Sequence, residues 1–213
     1  MSAFAENWDK KKEPGFGQGL LGGSNQGAPL KPRLEQADRE IQGVMLRLDA
    51  TMAKLRDKDA ALFNKIVLAT QQHDSARASV YAHELGELRK MNRMVTQSRL
   101  ALEQIDLRLR TISDLGDIVT TLAPATAIIS GMKEHIAGLV PEAQSGIGEI
   151  STLLGGILVD AGTVSGSSID FSVANQEAES VLSEAAAVAE SRMEKTFPEI
   201  PAAVSQSTEM EPA

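Results

Sequence analysis

Between positions 41 and 66 apolar residues return at alternating steps of four and three: Ile41, Met45, Leu48, Met52, Leu55, Leu62 and Ile66, with Asp59 alone interrupting the seam. A second series, Leu88, Met91, Val95, Ser98, Leu102, Ile105, Leu109 and Ile112, keeps the same rhythm. Heptad spacing lines one face of an α-helix and is incompatible with the period of two that a strand requires. The spacing predicts two long helices, over residues 33–71 and 75–112, each about 55–60 Å in length at the α-helical rise. Equal lengths favour an antiparallel hairpin. Its turn would fall at "QHDS", where His73, Asp74 and Ser75 break the rhythm and offer an N-cap. With neither Gly nor Pro at that point, one continuous rod is the alternative.

The rest of the chain agrees with an all-α fold. Aromatic residues make up only 3% of the 213 positions, too few for an ordinary sandwich or barrel. There is no cysteine, which excludes disulfides, thiolate metal sites and thiol nucleophiles. The first residues, "MSAFAENWDKKKEPG", lack the apolar core of a secretory signal. The uncharged run Ile118 to Met132 spans 15 residues and contains Pro124, short of the roughly 20 apolar residues that cross a bilayer. Residues 13–32 read as a Gly/Pro linker whose glycines resemble a dinucleotide fingerprint only superficially, because no strand precedes them.

Charge is unevenly placed within the net −8. Residues 31–113 hold 15 Lys/Arg against 11 Asp/Glu, whereas residues 114–213 hold 3 against 15. A mildly basic first half and a strongly acidic second half suit a molecule whose end folds back on its beginning; a solvated acidic tail is the simpler alternative. Downstream of the long helices, Gly116 and Pro124 punctuate one segment, Pro141 sits like a first-turn proline, and "GGILVDAGTVSGSS" reads as a flexible joint. Beyond it Val173, Val181, Leu182, Ala185, Val188, Ala189 and Met193 face away from Glu177, Glu179, Glu184, Glu190 and Glu194, an acidic amphipathic helix on a tether. The tail "EKTFPEIPAAV" then carries Pro198 and Pro201 three apart. In polyproline II these prolines share one edge and Phe197 and Ile200 a neighbouring one, the shape of a docking peptide; prolines also follow helices simply to end them.

A helical hairpin, smaller helices, a tethered acidic helix and a trailing proline motif together resemble the ESCRT-III family, most closely its archaeal cell-division branch, the CdvB proteins. The stretch "LRDKDAALFNKIVLATQQHDSARASVYAHELGELRKMNRMVTQSRLALEQIDLRLRTISDLGDIVTTLAP" carries the likeness best, with "GMKEHIAGLVPEAQSGIGEIS" after it. The resemblance covers roughly residues 33–201 and rests on extended pattern, without a short catalytic signature. It implies a subunit that switches between a closed monomer and an open form, polymerising with copies or paralogues on an anionic membrane at the cytoplasmic face of the division site. It further implies recycling by an AAA ATPase with a MIT domain, CdvC in archaea, gripping a proline-bearing peptide. Carried over, Phe197, Pro198, Ile200 and Pro201 match that peptide. Recruitment through a CdvA-like partner is in doubt, because the chain continues for only twelve residues after Pro201.

On this reading the chain divides into an N-terminal segment (1–32), a helical core (33–160), a joint (161–172), a regulatory acidic helix (173–195) and a tail (196–213). Within the regulatory helix, Val181, Leu182, Ala185, Val188 and Ala189 form the autoinhibitory apolar face. Arg33, Arg47, Lys54, Lys58 and Lys65 fall on one flank of the first helix, a candidate membrane face or simply a solvated surface. Phe4 and Trp8 beside Lys10, Lys11 and Lys12 make a candidate N-terminal membrane tether, with disorder as the alternative.

No enzyme, cofactor or metal is expected. His83 and Glu87 in "HELGE" lie one helical turn apart, but no convergent carboxylates complete a metal set; His73 and His135 have no nucleophile nearby, and there is no P-loop. Low aromatic content and acidic balance argue against nucleic acid. A coiled-coil scaffold or adaptor without a membrane role is the rival reading, which leaves the acidic helix and tail without a purpose.

Overall fold

The computed structural model describes residues 29–112, 115–136, 138–165 and 171–199. Five helices follow one another: α1 (Leu30–Gln71), α2 (Ser75–Leu109), α3 (Leu115–Ile136), α4 (Pro141–Ser165) and α5 (Phe171–Thr196). The fold is all-α. At 42 and 35 residues, α1 and α2 reach about 63 and 52 Å at 1.5 Å per residue. None of the helices is long and apolar enough to cross a membrane. The N-terminal 28 residues, including Phe4, Trp8, Lys10, Lys11 and Lys12, lie outside the described residues, as do Ile200 and Pro201.

Three residues separate α1 from α2, so no continuous rod forms. His73 takes a left-handed conformation (φ 56°). Its N–H donates to the Thr70 carbonyl (3.1 Å) and the Asp74 N–H to the Ala69 carbonyl (3.0 Å). This is the paired bonding by which a helix commonly ends, with His where glycine is usual. Asp74 then caps α2, its carboxylate accepting from the Arg77 N–H at 3.0 Å.

Ion pairs between α1 and α2 are rungs. Asp38 faces Arg110, Asp49 faces Arg99 and Asp59 faces Arg89. Each step toward the turn on α1 is matched by an equal step on α2, as only antiparallel helices in a fixed register allow. Of the apolar seam, Ile41, Leu48, Ile66, Leu85, Leu102 and Ile105 are fully buried, and Met45, Met52 and Met91 are partly so. Asp59, which interrupts that seam, is 2% exposed and held by the Arg89 fork, Nε at 2.7 Å and a terminal nitrogen at 3.2 Å. A carboxylate is tolerated there because a planar guanidinium satisfies both oxygens.

The second layer is a pair of apolar helices. α3 continues across Pro124, and Pro141 opens α4, where its missing N–H costs nothing. Contacts of Arg33 with Asp160, Val44 with Gly146 and Arg47 with the Glu142 carbonyl (3.2 Å) run α4 antiparallel along the first half of α1. Two glycines make this approach close: a Cβ on Gly146 would lie 2.6 Å from Val44 Cγ2, and one on Gly156 would lie 2.9 Å from the Arg33 guanidinium. The expected joint is largely helical. α4 runs on through Gly155 and Gly156 to Ser165, and α5 resumes at Phe171, with 166–170 outside the described residues. Burial of Ile150, Leu154, Ile157, Leu158 and Ala161 outweighs the cost of about 1 kcal/mol for each helical glycine.

Candidate functional site

α5 lies along α2 and α3, and its contacts give it direction. Arg108 pairs with Glu177, the Gln97 side-chain amide donates to the Leu182 carbonyl (3.1 Å), and Arg93 pairs with Glu190 at 3.0 Å. The Arg89 guanidinium sits 5.3 Å from the centre of the Phe197 ring. α5 thus runs antiparallel to α2, from its base toward the turn, and four α2 side chains hold it. The excess charge on the two halves of the sequence meets here.

The apolar side of the contact is shallow. Ala174, Ala178, Val181, Ala185, Ala189 and Met193 are buried, and Leu182 is half-buried with its Cδ1 at 3.4 Å from where a Cβ on Gly131 of α3 would stand. Each alanine methyl removed from water contributes about 0.8 kcal/mol, against about 1.5–3 for a large aliphatic side chain. The Arg93–Glu190 and Arg108–Glu177 pairs are between a third and half exposed, so each adds little and is weakened by salt. Two apolar residues of the sequence pattern point elsewhere: Val173 is 59% and Val188 37% exposed. Ala174 and Ala178 lie on the buried face instead, in line with Val181, Ala185 and Ala189, while Val173 and Val188 stand just outside it. Only valine-weighted hydrophobicity concealed this.

The cations of the first helix separate into two groups. Arg47, Lys54, Lys58 and Lys65 are exposed. Lys65 reaches over the Tyr81 ring, 5.5 Å from its centre. Arg33 does not belong with them: it is 6% exposed, covered by α4 and paired with Asp160. α4 begins level with Arg47, so it covers only the N-terminal half of this flank. In the tail, Phe197 is half-buried against α2, whereas Pro198 and Glu199 are exposed. These placements bring Phe197 onto α2 beyond the end of α5, apart from the exposed cations of α1.

Polar groups that periodicity did not reveal cluster at the base of the hairpin. Asp38 on α1 and Asp106 on α2 share Arg110, and the Gln42 amide donates to Asp38 at 2.8 Å. Burial and the neighbouring Asp106 carboxyl push the Asp38 carboxyl above its ordinary value of 3.8, partly offset by Arg110. Near the turn, Glu87 faces Lys90 (2.6 Å), whose ammonium holds its carboxyl below the usual range. Among the described residues no group of three or more His, Asp or Glu is placed to hold a metal ion.

No protein-family model matches the chain, and no solved structure does. Curated relatives do. The chain is 38% identical over 175 residues to cell division protein B1 of Sulfolobus acidocaldarius, covering 82% of each. It is 31% identical over 155 residues to cell division protein B of the same organism, 73% of this chain and 59% of that protein. A more distant match, 24% over 117 residues, is the ESCRT-III complex subunit did4 of Schizosaccharomyces pombe, covering 55% of this chain and 54% of did4. On the strength of the first of these matches and the helical architecture, the chain belongs to the ESCRT-III family, in its CdvB cell-division branch.

Proposed function

We propose that this structural, non-enzymatic subunit polymerises on anionic membrane at the cytoplasmic face of the division site, and that α5 holds it closed until assembly. The observation that carries the reading is the alanine-lined, ion-pair-rimmed seat of α5 on α2 and α3. A seat built from small methyls and half-exposed charges favours release over permanent packing. Departure of α5 uncovers Arg93, Gln97 and Arg108 on α2 together with Gly131 and Met132 on α3, surface for a copy or paralogue. Arg47, Lys54, Lys58 and Lys65 face lipid in this scheme, each contributing about 1 kcal/mol near an anionic bilayer. Four such contacts are weak in one subunit and become effective by repetition along a polymer.

Phe197 to Pro201 serve as the grip of a MIT-domain ATPase, a CdvC-like motor that dismantles the polymer; a preordered proline segment docks with little loss of entropy. The N-terminal Phe4, Trp8 and Lys10 to Lys12 supply a further lipid tether, and a CdvA-like recruiter is a second route to the membrane.

The test is Ala185→Asp in the full chain. Ala185 is 2% exposed on the α5 seat, and a carboxylate there has to be buried without a partner or expelled with the helix. The variant is expected to sediment with anionic vesicles and to form filaments by electron microscopy, while the parent stays in the supernatant. Identical behaviour of the two overturns the clasp. For the tail, equal affinity of a MIT domain for the 194–204 peptide and for its Pro198→Ala/Ile200→Ala form rejects the grip.

A further inference from the structure

A groove of about 760 Å³ runs between α1 and α4, and no residue of α5 lines it. Gly148, Thr152, Gly155 and Val159 follow one another along its α4 wall at four- and three-residue steps, with Leu153 beside them. Val159 is 59% exposed and Leu153 half-buried. Gly146 and Gly156 are required by α1, which would collide with any Cβ there, whereas a Cβ added at Gly148 or Gly155 meets nothing within 4 Å. Space above two helix-weakening glycines, next to two uncovered aliphatic side chains, is room for apolar side chains from elsewhere.

Arg33, on the α1 wall, sets what the occupant must offer. Its side chain is 7% exposed, one terminal nitrogen is held by Asp160, and its Nε–H is buried with no acceptor among the described residues. Buried donors are nearly always satisfied, so this one calls for an oxygen. A carboxylate would be repelled by Glu40 and Glu149, which line the same groove; a backbone carbonyl is neutral and would not. The occupant is therefore an extended peptide that turns carbonyls toward α1 and apolar side chains toward α4.

The chain carries such a peptide within reach. Residues 1–28 lead into Pro29, one helical turn before Arg33 at the mouth of the groove. Within them, "GFGQGLL" alternates Gly15, Gly17 and Gly19 with Phe16, Gln18 and Leu20. Alternate residues of an extended chain face opposite ways, so one edge is bare backbone, open to close approach, and the other carries Phe16 and Leu20. Seven extended residues span about 23 Å, and the wall from Ser145 to Val159 is about 21 Å long. "GGSNQG" at 22–27 supplies turn formers between that stretch and α1. Other stretches outside the described residues fit worse. Residues 166–170 are tied at both ends, to α4 and α5, and residues 200–213 hold Glu209 and Glu211 without a cation, whereas Lys10 to Lys12 precede the glycines and answer Glu40 and Glu149. We infer that the α1–α4 groove seats the chain's own residues 15–21, laid antiparallel to α1, with Phe16 and Leu20 over Gly148 and Gly155 and a backbone carbonyl accepting from the Arg33 Nε–H. Tethering raises the effective concentration of the segment to about the millimolar range, so a modest affinity suffices. The seated segment pins α4 to α1 and fixes where Lys10 to Lys12, and Phe4 and Trp8 before them, leave the subunit. None of this depends on α5 or on polymerisation.

The chain lacks cysteine, so an introduced pair reports the contact in the full-length protein. Leu21→Cys with Gln36→Cys places one thiol on the glycine edge of the segment and one on the α1 side of the groove; Leu21→Cys with Glu35→Cys keeps the tether almost unchanged but moves the second thiol to another exposed face of α1. Under mild oxidation the first pair is expected to close an intramolecular disulfide about tenfold faster than the second, read by intact mass and non-reducing electrophoresis. Gly148→Leu/Gly155→Leu fills the groove from α4, and Phe16→Ser removes an anchor without touching the described helices; each should bring the first pair down to the rate of the second. Arg33→Lys keeps a cation for Asp160 but has no Nε–H, and should slow the first pair severalfold. Equal rates for the two pairs overturn the inference, as does a first pair that stays fast with the groove filled or with Phe16→Ser. A disulfide-linked dimer in place of the closed monomer gives the groove to a second copy and overturns it as well.

Discussion

Arg89 is the residue whose loss should be felt most. Its guanidinium occupies both oxygens of Asp59, which is 2% exposed within the apolar seam, and its face contacts Phe197. Arg89→Ala leaves the carboxylate buried without a partner, and breaking a buried pair from one side costs about 3–5 kcal/mol. Loss of the ring contact adds at most about 1 kcal/mol. At roughly 2–4 °C per kcal/mol for a chain of this size, the melting temperature should fall by about 6–20 °C. Urea unfolding followed by far-ultraviolet circular dichroism measures the free energy directly. The control is Asp59→Leu/Arg89→Met, which removes both charges and should lie within about 1 kcal/mol of the parent or above it. Arg89→Lys should fall between, since an ammonium cannot span both oxygens. The reasoning is refuted if Arg89→Ala costs less than about 1 kcal/mol, or if the double variant is as unstable as the single.

Gly146→Ala should destabilise by about 1–3 kcal/mol, because the new methyl meets the stiff Val44 side chain at 2.6 Å, whereas Gly155→Ala should stabilise by about 0.5–1 kcal/mol; paired urea melts check the opposite signs. Asp38 supplies a pH dependence. Its carboxyl is pushed above 3.8 in the fold, so the folded state binds the proton more readily than the unfolded one, and this group's contribution becomes unfavourable as pH rises through the raised value. Asp38→Asn should therefore stabilise at neutral pH, with a gain that shrinks as the pH is lowered toward 3.8, read from melting temperatures across that range.

Much of the architecture was legible in the apolar rhythm. The heptads at 41–66 and 88–112 mark α1 and α2 because burial of one helical face imposes its period directly on the chain. Asp74 was readable as a turn signal, although His73 in a left-handed conformation was not, since only the closing of the hairpin forces it there. The site was less legible. Val188 seemed to belong to the buried face of α5 and does not, while Ala174 and Ala178 do, because a scale of hydrophobicity rewards valine and is blind to interhelical distance. Arg33 shares a helical flank with Lys54, Lys58 and Lys65, and only α4 distinguishes it from them.

By itself the amino-acid order determined an all-helical chain, the positions of two long rods and the opposite charge of its two halves. These are properties of periodicity and composition, which act residue by residue. Which arginine meets which carboxylate, which glycines are pressed by a neighbour and which stand open, and which half of the basic flank is covered were decided only by tertiary packing. Each depends on residues 30 to 127 positions apart being brought together, and no local pattern encodes that distance.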